Sequence, residues 1–343
     1  MKKLLVFLFI FSLICFGAGC AGTNNKGDNT GENQPQQEEE NNKGKDINLS
    51  QVIYDQWAES GHAKAEGEDN PAEAPGMRAQ GGCFFCHNGY AFENNAKDLE
   101  GIGILKGTTC DTCHIGYGHQ TMTAGKAETL IGAVEGGKGS MCMACHNGRG
   151  KKPDLESAPH HSVQADMTLG KNGGEISGVS YGNSGHSNLT DSCLSCHMAA
   201  DENGIKDHTF KMNEDNIDEA CNKCHKFDTF NPEAKGDYDG DGSKEGIQTE
   251  VEGLLKLVND EILKKLDGGK FVSSHGSVEF QDKDGKVIET PPDENLYRAA
   301  WNYFFVDYDG SKGIHNPKYA VQLLQQSYKG LTGNDVPKAD ILK

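Results

Sequence analysis

The sequence predicts a mainly α-helical chain with extensive irregular loops, whose interior is filled largely by something other than aliphatic side chains. Three observations lead there. Hydrophobic residues make up only 35% of 343 residues, glycine reaches 44, and mean hydropathy is −0.64, so a conventional aliphatic core is thin. Sustained helical apolar spacing is confined to the C-terminal third. Between the N-terminal leader and that third, the cysteines recur with one spacing in loop-rich, glycine-rich sequence. Net charge is −18, which argues against nucleic acid and anionic lipid surfaces as partners.

Taken in order, Met1-Lys2-Lys3 and the apolar run Leu4 to Phe16 read as a secretory signal, too short to span a bilayer as a mature helix. Gly17-Ala18-Gly19-Cys20 resembles a bacterial lipoprotein signal, although Gly17 stands where such signals usually carry Leu. The resemblance implies cleavage after residue 19 and lipidation of Cys20. Residues 20–50, rich in Asn, Gln, Gly, Glu and Lys, form an expected disordered tether that reaches about 30 Å as a flexible coil. The protein is therefore expected outside the cytoplasm, lipid-anchored at a membrane or cell surface.

Residues 51–232 carry five copies of one pattern: Cys83-x-x-Cys86-His87, Cys110-x-x-Cys113-His114, Cys142-x-x-Cys145-His146, Cys193-x-x-Cys196-His197 and Cys221-x-x-Cys224-His225. Every cysteine after Cys20 belongs to one of them. Cys-x-x-Cys-His is the attachment signature of c-type haem: two thiols reach the two vinyl groups of one porphyrin, and the adjacent histidine ligates the iron. Zinc sites place their histidines away from the cysteine pair, and a redox dithiol needs one pair, not five. The chain thus resembles the multihaem c-type cytochromes from about Tyr54 onward. The resemblance implies five covalent haems as the core of this region, with short helices and loops packed on their faces.

Five irons need five further axial ligands to be six-coordinate, and thirteen histidines leave eight beyond the motifs. His62 lies just upstream of the first motif and looks like the early distal histidine of multihaem cytochromes. His186 and His208 match a recurrent arrangement in that family, and His315, before a helix, is similar to the C-terminal histidine of the pentahaem nitrite reductases. Of the adjacent His160 and His161, neighbours on an extended chain point apart; His160 is favoured, and both could serve different haems. His119 is a further candidate, five residues after His114. His275 reads as a surface histidine. Met122, Met143, Met167, Met198 and Met212 are the competing ligands, with packing on porphyrin their expected role.

Residues 233–343 are expected to pack as an acidic loop and helices on the haem region. Asp237, Asp239 and Asp241, with Gly242, reproduce the first half of an EF-hand-type loop and make calcium a candidate ligand. Its twelfth position holds Gln248 instead of Glu, with Glu245 and Glu250 near. Val251, Leu254, Leu255, Val258, Ile262 and Leu266 form one helical stripe, and helices are expected over Leu296 to Phe305 and Pro317 to Tyr328.

The functional expectation is a tethered pentahaem electron carrier, its haems all bis-histidine and low-spin, working between a membrane quinol-linked donor or other cytochromes and an outside acceptor. The resemblance also admits a multihaem reductase of nitrite or a related oxyanion. Against that, those reductases usually carry Cys-x-x-Cys-Lys at the catalytic haem, and all five motifs here end in His. A third class is an oligomer or filament of cytochrome subunits.

Overall fold

The computed structural model describes residues 48–64, 83–98, 106–149, 157–274, 276–288 and 293–343. The signal, Cys20, most of the tether and His275 lie outside them. Helix α1 (Leu49–Ala58) starts inside the segment expected as tether, with the Asn48 side chain accepting from Gln51 N–H as its cap.

Across the motif region the regular elements are short. They are α2 (Gly61–Lys64), α3 (Phe84–His87), α4 (Gly89–Glu93), α5 (Cys110–His114), α6 (Gly116–Ala124), α7 (Ser140–Met143), α8 (Gln164–Leu169), α9 (Ser192–His197) and α10 (Ile217–Ala220). One hairpin, β1 (Lys126–Thr129) against β2 (Gly132–Glu135), pairs Lys126 with Glu135 and Thr129 with Gly132. Helices this brief are marginal alone and depend on what they pack against. Glycine permits some close approaches: a Cβ on Gly118 would meet the Thr112 carbonyl oxygen at 2.0 Å.

The C-terminal part is built differently. Helices α11 (Ile247–Lys265), α12 (Glu294–Asp309) and α13 (Pro317–Thr332) pack on one another beside the antiparallel hairpin β3 (Lys270–Ser274) and β4 (Ser277–Gln281). The expected helices are present, each longer than the sequence stripe. Val251, Leu254, Val258, Ile262, Ala299, Phe305, Tyr319, Leu323 and Leu324 are buried in one cluster, with Val163 and Met167 of the motif region inside it. The thin aliphatic core expected from composition therefore holds for the motif region only. The apolar residues are concentrated in three amphipathic helices, which an average over the chain conceals. Among the described residues no helix is long and apolar enough to cross a membrane.

Candidate functional site

Each Cys-x-x-Cys-His unit closes one helical turn, which brings cysteines three residues apart onto one side. The histidine N–H donates to the carbonyl of the first cysteine at 3.0 Å for His87, 2.9 Å for His146 and 2.9 Å for His225. None of the ten cysteines is in a disulfide. Neighbouring units come close through their thiols: Cys86 interacts with Cys145, and Cys142 with Cys193. Cys113 acts electrostatically on both Cys142 and Cys145, and Cys221 and Cys224 act on Cys196. Burial pushes the Cys113 and Cys196 thiols up to about 11. Cys110 and Cys224, by contrast, are exposed and the other eight motif cysteines half-buried, so the second and fifth units each present one thiol at the surface.

Five of the eight histidines outside the motifs are brought, one each, opposite the five motif histidines. Ring centres are 6.0 Å apart for His62 and His146, 6.5 Å for His160 and His87, and 6.4 Å for His208 and His114. His186 faces His225 at 6.0 Å, and His315 faces His197 at 6.0 Å. A metal–imidazole bond is about 2 Å and the ring centre lies about 1 Å beyond the nitrogen, so two imidazoles trans on one iron keep their centres about 6 Å apart. All five pairs have that span. The sixth candidate, His119, is not placed opposite a motif histidine; its ring lies 3.4 Å from Thr123 Oγ1, one turn along α6. His161 stacks beside His160 at 4.1 Å.

The second ring nitrogens fit the same role. Nδ1 lies 2.9 Å from the Ile314 carbonyl in His186, 2.9 Å from the Phe210 carbonyl in His197 and 2.9 Å from the Lys206 carbonyl in His208. In His146 it meets Gln164 Oε1 at 3.2 Å, in His160 Ser162 Oγ at 2.6 Å, and in His315 Asp309 Oδ1 at 2.7 Å. A proton held at Nδ1 leaves the Nε2 lone pair for a metal and fixes the ring plane. Burial, with His146 beside it, lowers His62 to about 4, and burial also lowers His146 and His197. Burial thus disfavours the charged form of these rings, in the sense that metal ligation requires. His315 differs: burial lowers it, but the Asp309 carboxylate more than offsets this and its pKa ends above the usual value.

Several positioning residues carried no signal in the sequence reading. Phe210 is held at φ 57°; it gives its carbonyl to His197 and sets its ring 4.9 Å from His62 and 6.1 Å from His208. Asn316, fully buried, accepts from Tyr319 N–H as the cap of α13 and from Ser184 N–H, and donates to Asn183. It thereby joins the His315 segment to the 3-10 turn Gly185–Asn188 that carries His186. The Asn-Pro pair at residues 316 and 317 is a helix-start signal from which the cap could have been read. Helix α1 is docked by Trp57 Nε1 on the Thr108 carbonyl at 3.2 Å, and Gln56 Oε1 accepts from His208 N–H at 3.2 Å.

The acidic loop brings Asp237 and Asp239 together with Glu250, their carboxylate oxygens within 4.8 Å of one another. Asp241, expected as the third ligand, is not in that set; its Oδ1 accepts from Ser243 N–H at 2.7 Å. Glu250 reaches back from the first turn of α11 and accepts from Tyr238 N–H at 2.6 Å, Asp239 N–H at 3.3 Å and Glu245 N–H at 2.9 Å. The loop thus departs from EF-hand spacing: Gln248, at the twelfth position, donates to the Ser311 carbonyl instead.

With this geometry in view, the chain matches the cytochrome c552 family model over residues 179–338. No curated protein matches the sequence. The crystal structure of the outer cell wall cytochrome OcwA is similar in fold, with a TM-score of 0.51 at 20% identity over 82% of this chain. That alignment covers 50% of the OcwA chain, so this chain spans about half its length. The fold is thus like that of a multihaem c-type cytochrome, and residues 179–338 match a family of c-type cytochromes.

Proposed function

We propose that the chain holds five covalent c-type haems, each between a motif histidine and a distal histidine, and that its work is electron transfer. The observation that carries this reading is the set of five histidine pairs, each with the span of two trans imidazoles. The residues that would hold the five groups are then His87 with His160, His114 with His208, His146 with His62, His197 with His315 and His225 with His186. When bound, the haems supply one-electron chemistry at iron. The chain does the rest: ten thiols tether the porphyrin edges, Nδ1 partners fix the imidazole planes, and ten strong-field nitrogens keep the coordination alike in both redox states. Thiol contacts support a continuous path through the first, third, fourth and fifth sites, with the second beside the third. The exposed second and fifth units suit exchange with redox partners such as other cytochromes or a quinol-linked membrane donor.

The family-model match favours one second reading, reduction of nitrite. It needs an axial position open to substrate, and here every motif histidine faces another histidine. The filament reading needs no ligand from a second copy for the same reason. Export with a lipid on Cys20 follows the N-terminal motif, and the cell-wall setting of the OcwA protein is consistent with work outside the cytoplasm. Calcium at Asp237, Asp239 and Glu250 would relieve the repulsion of three converging carboxylates. Denaturing mass spectrometry should find the processed polypeptide plus five haem masses, and carbon monoxide should bind the reduced protein at less than stoichiometric level. Fewer haems at full occupancy, or one carbon monoxide per chain, would count against the carrier.

A further inference from the structure

Among the described residues, Nδ1 meets a named partner in six of the paired histidines, and five of those partners are neutral oxygens. The sixth is a carboxylate. His315 Nδ1 lies 2.7 Å from Asp309 Oδ1, and the Asp309 side chain is 0% exposed. Asp309 ends α12 and pairs with no lysine or arginine among the described residues. Its second oxygen accepts from the Ser311 hydroxyl, whose oxygen in turn accepts from His315 N–H at 3.1 Å. Gln164 adds a further tie, donating to the Asp309 carbonyl at 3.3 Å while its Oε1 meets His146 Nδ1 at 3.2 Å.

We propose that Asp309 is a potential-setting residue: through His315 it lowers the reduction potential of the haem held by His197 and His315. The proposal rests on the reading that His315 is an axial ligand. A carboxylate accepting the Nδ1 proton gives the imidazole anionic character and makes Nε2 a stronger donor, which stabilises ferric iron. The buried charge acts in the same sense, because reduction adds an electron near an anion in a medium of low dielectric. A neutral carbonyl, as on His186, does neither. Position gives the shift a consequence. Cys193 contacts Cys142 of the third motif, and Cys196 lies beside Cys221 and Cys224 of the fifth. Electrons crossing between those sites by this route pass the one that Asp309 makes harder to reduce.

The test is spectropotentiometry of the five-haem protein with its spin state followed by electron paramagnetic resonance. Asp309→Asn keeps a hydrogen-bond acceptor and removes the charge; one haem should become easier to reduce by about tenfold, about 59 mV for a one-electron couple, with all five still low-spin. Five unchanged potentials with five low-spin haems would overturn the proposal and leave the ligand reading standing. Ser311→Ala removes a donor that drains charge from the carboxylate, so the same haem should shift the opposite way. If Asp309→Asn loses a ligand or fails to fold, Ser311→Ala decides: a downward shift supports the proposal and none overturns it. His315→Ala separates the two ideas, since one high-spin haem upholds the ligand reading and none refutes it.

Discussion

His62→Ala tests the haem reading at the site with the most neighbours. The His62 ring stands 6.0 Å from His146 and 4.9 Å from Phe210, edge-on to both. The two rings in contact with His62, Phe210 and the facing His146, offer no nitrogen that could take its place. Truncation removes one axial nitrogen of ten and an aromatic contact worth about 0.5–1.5 kcal/mol. Against a typical domain stability of about 5–15 kcal/mol, the fold survives. The reduced variant should then bind about one carbon monoxide per chain, where the parent binds almost none, and the oxidised variant should show one high-spin signal. The third site's potential should also rise as a weaker ligand replaces imidazole. His119→Ala is the matched control, since its ring faces Thr123, and should leave the spectra unchanged. A His62→Ala protein that binds no carbon monoxide, or a His119→Ala protein that does, would refute the pairing.

Other outcomes follow from the same geometry. Asn316→Ala removes the cap of α13, about 1 kcal/mol, and strands Ser184 N–H, about 1–3 kcal/mol more; chemical denaturation should show the combined loss, and the His315 and His186 sites should loosen together. Calcium at a hundredfold excess over its dissociation constant should stabilise the chain by about 2.7 kcal/mol, an effect that Glu250→Gln should abolish in thermal melts without bleaching haem. Cys20→Ser should move the protein from the membrane to the soluble fraction. Burial raises the pKa of Asp166 against the hydrogen bonds from Asn172 and Gly148 that lower it. A carboxyl raised in the fold contributes its full stability below the unfolded pKa of about 4 and loses it as pH rises through the folded value. Stability relative to Asp166→Asn should therefore increase from neutral to acid pH, and a flat difference in denaturant midpoints would refute the assignment.

What the sequence determined by itself is local. Two thiols three residues apart with a histidine beside the second carry the attachment chemistry in their spacing alone, so Cys83 to His225 could be read as attachment sites without a fold. The apolar stripe from Val251 to Leu266 and the Asn316-Pro317 start marked the C-terminal helices for the same reason, since their period is set by the backbone. A pool of distal histidines could also be counted, but not their partners. His62 meets His146 across the first two motifs, and His315 returns from the last helix pair to His197, because chain crossings in three dimensions choose the neighbours. Only the tertiary structure left His119 aside, exchanged Asp241 for Glu250, and set Phe210 among three histidines. It also placed the buried Asp309 carboxylate on His315. Such contacts join residues far apart in the chain, and their energies depend on burial and distance, which no spacing along a sequence encodes.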